Sequence, residues 1–298
     1  MGFFFEVLFG GFLAGVLYAL VALGFVLIFK ASGVFNFAQG SMVLFAALSL
    51  VRLMEWLPVP IAILVTMLIM VALAFAVERL VLRPLVNQEG IILFMATIGV
   101  SYFIDGFAQT IWGSDVYKLD LGLPNDPLIL FESIFEGGIL INAFDLVAAA
   151  AAGVLVIGLA LFFQKTRIGR ALRAVADDHQ AAQSVGIPLR DIWVIVWSTS
   201  GVVALVAGIV WGSALGVQFS IALVALKALP VLILGGFTSV PGAIVGGLII
   251  GAGEKLAEVY IGPYFGGGIE TWFAYVLALL FLLVRPQGLF GERIIERV

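Results

Sequence analysis

Long apolar runs alternate with short polar segments along almost the whole chain. The runs cover residues 7–29, 34–51, 59–77, 91–112, 143–163, 192–215, 220–234, 242–260 and 269–284. A helix that crosses the hydrocarbon core of a bilayer needs about 20 mainly apolar residues, so this pattern predicts an all-α polytopic membrane protein with about 8–9 transmembrane helices. The second, seventh and eighth runs are short or are interrupted by Gly, Pro or polar residues. They read as full, broken or re-entrant spans. The first run follows Met1–Glu6, which has no basic segment and no small-residue cleavage site, and it reads as a retained span.

The polar connections separate by charge. Arg79 and Arg83 share one, Lys165, Arg167, Arg170, Arg173 and Arg190 share another, and Arg285, Arg293 and Arg297 follow the last run. Residues 114–142 instead hold Asp115, Asp120, Asp126, Glu132 and Glu136 against Lys118. Loops rich in Lys and Arg stay in the cytoplasm. Nine spans then place the N-terminus outside, the C-terminus inside, and the acidic loop of 114–142 on the extracytoplasmic side. Four spans precede the fifth and four follow it with opposite starting sides. That leaves room for an inverted repeat within one transmembrane domain over 1–298.

Composition narrows the function classes. Of 298 residues, 63% are hydrophobic and 11% charged, more apolar surface than a soluble domain of this size can hide. The formal charge of −4, with cations scattered between the runs, predicts no nucleic-acid partner. Cysteine is absent and His179 is the sole histidine, which removes thiol chemistry and histidine-only metal clusters and leads to the expectation of no cofactor and no metal. No Gly-x4-Gly-Lys-Ser/Thr phosphate loop occurs, so the chain does not bind ATP through that motif. The expectation is a solute-conducting protein without a catalytic site.

Polar residues inside apolar runs are the candidates for that path. Thr97, Ser101, Asp105 and Gln109 recur every four residues and form one ridge of the fourth span. The ridge either lines the path or hydrogen-bonds to a neighbouring helix. Asn36, Gln39 and Ser41 open the second span beside Gly33 and Gly40, where a helix break leaves backbone groups to satisfy. Lys227 lies in the seventh run three residues before Pro230. Either it lines a cavity at a kinked helix, or it snorkels to an interface. Gly11-x3-Gly15, Gly242-x3-Gly246 and Gly247-x3-Gly251 permit close helix contact, within the chain or with a partner.

The basic connection 164–191 is the most informative stretch. After Gly169 it is rich in helix formers, Gly186 and Pro188 stop it, and Arg173 and Asp177 stand one turn apart. Its residues alone fit an amphipathic helix at the headgroups as well as a docking element. Gln180-Ala181-Ala182, three residues and Gly186 resemble the EAA loop of ABC importer permeases, with Gln180 where Glu is usual. The preceding Arg167, Gly169, Arg170 and Arg173 resemble the same segment of LivH-type permeases of branched-chain amino acid importers. So do residues 34–41, Leu226-Lys227-Ala228, residues 234–247 and Arg285-Pro286-Gln287-Gly288-Leu289-Phe290-Gly291.

The resemblance implies a type II ABC importer permease-like fold in a bacterial inner membrane. It also implies a paralogous permease partner, two ATPase subunits and a periplasmic substrate-binding protein. The ATPase would couple through 164–191, at Arg167, Gly169, Arg170, Arg173, Gln180, Ala181, Ala182 and Gly186. Branched-chain or other hydrophobic amino acids are the implied cargo, with urea or short amides as the alternative. A secondary transporter or channel fits the spans but leaves 167–187 without a role.

Overall fold

The computed structural model describes residues 2–85, 88–124, 126–132, 138–177 and 179–291, with the side chains of 177, 179, 180 and 224 outside the description. Each predicted run forms helix. The order is α1 (Gly2–Ser32), α2 (Gln39–Leu53), α3 (Val59–Val77), α4 (Gly90–Trp112), β1 (Pro127–Leu130), β2 (Ile139–Asn142) and α5 (Ala143–Lys165). It continues with α6 (Arg167–Asp177), α7 (His179–Ser184), α8 (Leu189–Leu215), α9 (Ile221–Val224), α10 (Ala228–Gly235), α11 (Val240–Tyr260), α12 (Gly262–Phe265) and α13 (Glu270–Val284). Among the described residues six helices are long and apolar enough to cross a bilayer: α1, α3 with its extension to Leu85, α4, α5, α8 and α11. Gln39–Leu53, Ile221–Gly235 and Glu270–Val284 are apolar but shorter.

The short segments have local causes. At 1.5 Å per residue α2 is about 22 Å long, less than the hydrocarbon thickness. The chain before it, residues 33–38, is irregular. The seventh run is broken by a 3-10 turn, Ala225–Lys227, and Pro230 falls in the first turn of α10, where a missing N–H costs no helix bond. The eighth run, by contrast, is one continuous helix, with the Ser239 hydroxyl accepting the Gly242 N–H at its start. α3 runs into a single π turn, Glu78–Leu82, and a 3-10 turn, Arg83–Leu85. Within 114–142 lies an antiparallel pair, with Pro127 opposite Asn142 and Leu130 opposite Ile139. The sequence reading did not anticipate this pair.

The chain divides into two compact units. One comprises Met1–Ala22, Gly122–Ile157 and Lys227–Val298; the other comprises Leu23–Leu121 and Gly158–Leu226. In the second, α2 is the central helix, packed by α3, α4, α8 and α9, and nearly all of it is buried. Gly208 and Gly40 permit the approach: a Cβ at Gly208 would lie 2.8 Å from the Val43 carbonyl oxygen, and one at Gly40 would strike Ala222. In the first unit α10, α11 and α13 pack together. The glycine steps work inside this unit. A Cβ on Gly11 would lie 2.7 Å from Ala252 Cα, and one on Gly15 would lie 2.5 Å from the Gly247 carbonyl oxygen. Gly246 meets Val231 and Gly235 in the same way. Backbone-to-backbone contact of this kind substitutes for the hydrophobic drive that lipid does not supply.

Candidate functional site

In the Leu23–Leu121 and Gly158–Leu226 unit, the irregular segment before α2 is held by polar side chains because its backbone makes no ladder of its own. Asn36 Oδ1 accepts from Ala38 N–H at 3.1 Å. Thr97 Oγ1 accepts from Phe37 N–H at 3.1 Å, and its proton has Phe94 O at 2.8 Å and Phe35 O at 3.1 Å within reach. Gln39 is the hub: its Oε1 accepts from Ser200 Oγ at 2.5 Å and Asn36 Nδ2 at 3.3 Å, while its Nε2 donates to Ser200 O at 3.4 Å. Ser41 and Ser101 share a hydrogen bond at 2.7 Å. Asn36, Gln39, Ser41, Thr97, Ser101 and Ser200 are all buried.

The predicted α4 ridge therefore divides along its length. Thr97 and Ser101 join the network, Asp105 is half-buried and Gln109 is exposed. Oδ1 of Asp105 is buried without a hydrogen-bond partner among the described residues. The network is made of neutral donors and acceptors, so it can hold backbone or a polar solute group by hydrogen bonds without ionic attraction. Gly24 opens space for it, since a Cβ there would lie 2.9 Å from Gln39 Nε2. Ser200 was missed in the sequence because it closes the contiguous run Ser198-Thr199-Ser200, which carries no periodic signal.

Lys227 lies in the other unit and anchors a charged cluster. Its Nζ is 2.9 Å from Glu254 Oε1 and 3.8 Å from Glu270 Oε1, and Lys255 Nζ is 3.2 Å from Glu270 Oε2. The Tyr18 hydroxyl donates to Glu254 Oε1 at 3.2 Å, and Lys227 sits over the Tyr18 ring. Glu254 is 2% exposed, Lys227 28%, Glu270 32% and Lys255 43%. Neither sequence alternative for Lys227 described this arrangement, in which an ion pair compensates the charge. The missed signal was the charged group Glu254, Lys255 and Glu258 within a run that is otherwise apolar, where any charge calls for a partner.

The basic connection folds back on the end of α5. Arg173 Nη1 donates to Phe163 O at 2.9 Å and its Nη2 to Gln164 O at 3.3 Å, so a cation closes carbonyls at a helix C-terminus. Gly169 packs on Phe163 with no room for a Cβ, and its N–H donates to Thr166 Oγ1 at 3.2 Å. Leu172 and Val175 face inward, while Arg167 and Arg170 are exposed. Ala182 is buried, whereas Ala181, Gln183, Ser184 and Val185 face out. Gly186 takes φ +85°, which favours glycine, and ends the turn. The side chains of Asp177 and Gln180 lie outside the described residues.

The family described as the branched-chain amino acid transport system permease component matches residues 7–285. The chain belongs to this permease family. Relatives agree over nearly full length. The high-affinity branched-chain amino acid transport system permease protein LivH of Escherichia coli is 29% identical, aligned over 99% of this chain and 98% of its own. LivH of Salmonella typhimurium is 28% identical, aligned over the same shares. BraD of Pseudomonas aeruginosa, a permease protein of the same description, is 29% identical over 97% of this chain and 96% of its own. The permease is thus a multi-pass membrane protein of α-helices. Its two polar clusters lie in different units, and the basic connection belongs to the same unit as the first.

Proposed function

We propose that this permease is the membrane-spanning subunit of an ATP-driven importer of branched-chain and other hydrophobic amino acids in a bacterial inner membrane. The observation that carries the reading is the family match over 7–285, together with relatives whose names specify branched-chain amino acid transport. The machinery this reading requires is a second, paralogous permease, two ATPase subunits and an external binding protein. Hydrolysis energy enters at 164–191. Arg167 and Arg170 offer a charged face there, and the exposed turn of Ala181, Gln183, Ser184 and Val185 offers a second contact, while Gly169 and Arg173 lock α6 to α5 so that a push on one moves the other. The acidic loop 114–142 then faces the binding protein. Asn36, Gln39, Ser41, Thr97, Ser101, Asp105 and Lys227 are the pathway candidates.

Reconstitution of the permease with its partner permease, ATPases and binding protein tests this. The expected result is ATP-dependent uptake of radiolabelled leucine, isoleucine or valine. Uptake of urea or acetamide but of no amino acid assigns the cargo to small amides. Uptake by the permease alone, driven by an ion gradient, overturns the importer reading.

A further inference from the structure

The charged cluster around Lys227 is graded from a fixed base to a loose rim. Glu254, buried and held by both Lys227 and Tyr18, is the base. Glu270 belongs to the rim, where Lys255 meets it at 3.2 Å but Lys227 only at 3.8 Å, longer than the roughly 2.7–2.9 Å of a well-formed charge-assisted hydrogen bond. The backbone that carries Glu270 is fixed. Glu258 Oε1 accepts from Gly268 N–H at 2.7 Å and its Oε2 accepts from Glu270 N–H at 2.9 Å. Glu270 is therefore presented on a rigid support and remains the least satisfied carboxylate of the group.

We propose that the Lys227–Glu270–Lys255 rim is a docking point for the head of a zwitterion, a primary ammonium with an anionic group a few atoms away. The inference rests on the amino-acid cargo proposed above. Glu270 is paired with Lys255 and, more loosely, with Lys227, so a lone cation or anion that displaces one of these pairings leaves its former partner uncompensated. A zwitterion does not: its ammonium takes Glu270, its carboxylate takes Lys255 and Lys227, and the total charge stays the same. The buried Glu254 and Tyr18 hold Lys227 in place during the exchange. They act as positioning residues.

A phosphatidylethanolamine headgroup shares this chemistry, so the test has a lipid arm. The probe is radiolabelled L-leucine binding to the assembled importer, without binding protein, in phosphatidylglycerol nanodiscs. Leucinamide supplies the ammonium alone and N-acetyl-leucine the carboxylate alone. Unmodified protein is expected to bind leucine about tenfold more tightly than either analogue, a difference of about 1.4 kcal/mol. Glu270→Gln is expected to weaken leucine and shift preference toward N-acetyl-leucine, and Lys255→Met to shift it toward leucinamide.

Shifts of opposite sign do not arise from general loss of fold. Should either variant fail to assemble, the charge-exchanged pair Glu270→Lys with Lys255→Glu carries the test, and is expected to retain leucine binding. Absence of saturable leucine binding, unchanged preferences, or a parallel loss for all three ligands overturns the proposal. Loss of leucine binding on adding phosphatidylethanolamine gives the site to the headgroup and overturns the amino-acid assignment. ATP-driven leucine uptake without rim binding sinks this inference alone, whereas no uptake with every partner present sinks the importer reading.

Discussion

Replacing Lys227 with methionine removes the cation from a carboxylate that has almost no contact with solvent. Glu254 is 2% exposed, and without Lys227 its Oε1 keeps only the Tyr18 hydroxyl at 3.2 Å. Breaking a buried pair from one side costs about 3–5 kcal/mol, and the partial exposure of Lys227 places this case near the lower end. Glu254→Gln is milder. The amide keeps the volume and an acceptor for Tyr18, while Lys227 turns to Glu270 at 3.8 Å, for a loss of about 1 kcal/mol. Lys227→Met with Glu254→Gln leaves no buried charge and is expected to lie near the Glu254→Gln value, about 2 kcal/mol more stable than Lys227→Met alone. Equilibrium unfolding in mixed micelles gives the four free energies and their coupling. Additive single effects, or a Lys227→Met variant no weaker than Glu254→Gln, would refute the claim that the pair is desolvated.

Three further outcomes follow from close contacts. Gly15→Ala drives a methyl to 2.5 Å from Gly247 O, against backbone that cannot yield, and is expected to lose about 1–3 kcal/mol in the same unfolding assay. Gly10→Ala, with nothing within 4 Å, is its neutral control. Gln39→Leu strips Ser200 and Asn36 of their shared acceptor, and a loss of about 1–3 kcal/mol is expected; an unchanged unfolding midpoint would remove Gln39 from the centre of the network. Gly169→Ala pushes α6 off Phe163 and is expected to abolish ATP-driven uptake while the protein still reaches the membrane, as read by membrane fractionation beside the transport assay. Normal uptake would separate this contact from coupling.

Helix positions were legible in the sequence because hydrophobic length is a one-dimensional signal. The third run ended at Val77 in both sequence and structure, and the eighth differed by two residues at its start. The break before Lys227 was also foreseeable, since a charge beside Pro230 fits poorly in a continuous span. Partners were not legible. Gln39 and Ser200 are 161 positions apart, and Tyr18 and Glu254 are 236 apart, so no local pattern ties them. The same holds for Arg173, whose guanidinium reaches back ten positions to cap α5 at Phe163 O. A charge competes for the best acceptor in space, and open carbonyls at a helix end are strong acceptors.

The last described turn of the chain has a consequence for biogenesis. Leu289 N–H donates to Leu234 O at 2.8 Å and Phe290 N–H to Gly235 O at 3.2 Å, so the end of α10 is finished by residues made some fifty positions later. Gly236 and Gly288, both at positive φ, let the strands of that closure touch. Until the ribosome has released this segment, a short apolar helix waits in the bilayer with raw carbonyls at its tip. A chain stalled or clipped after α13 but before Leu289 therefore presents the membrane's quality-control proteases with an unfinished edge, and affinity tags belong beyond Gly291.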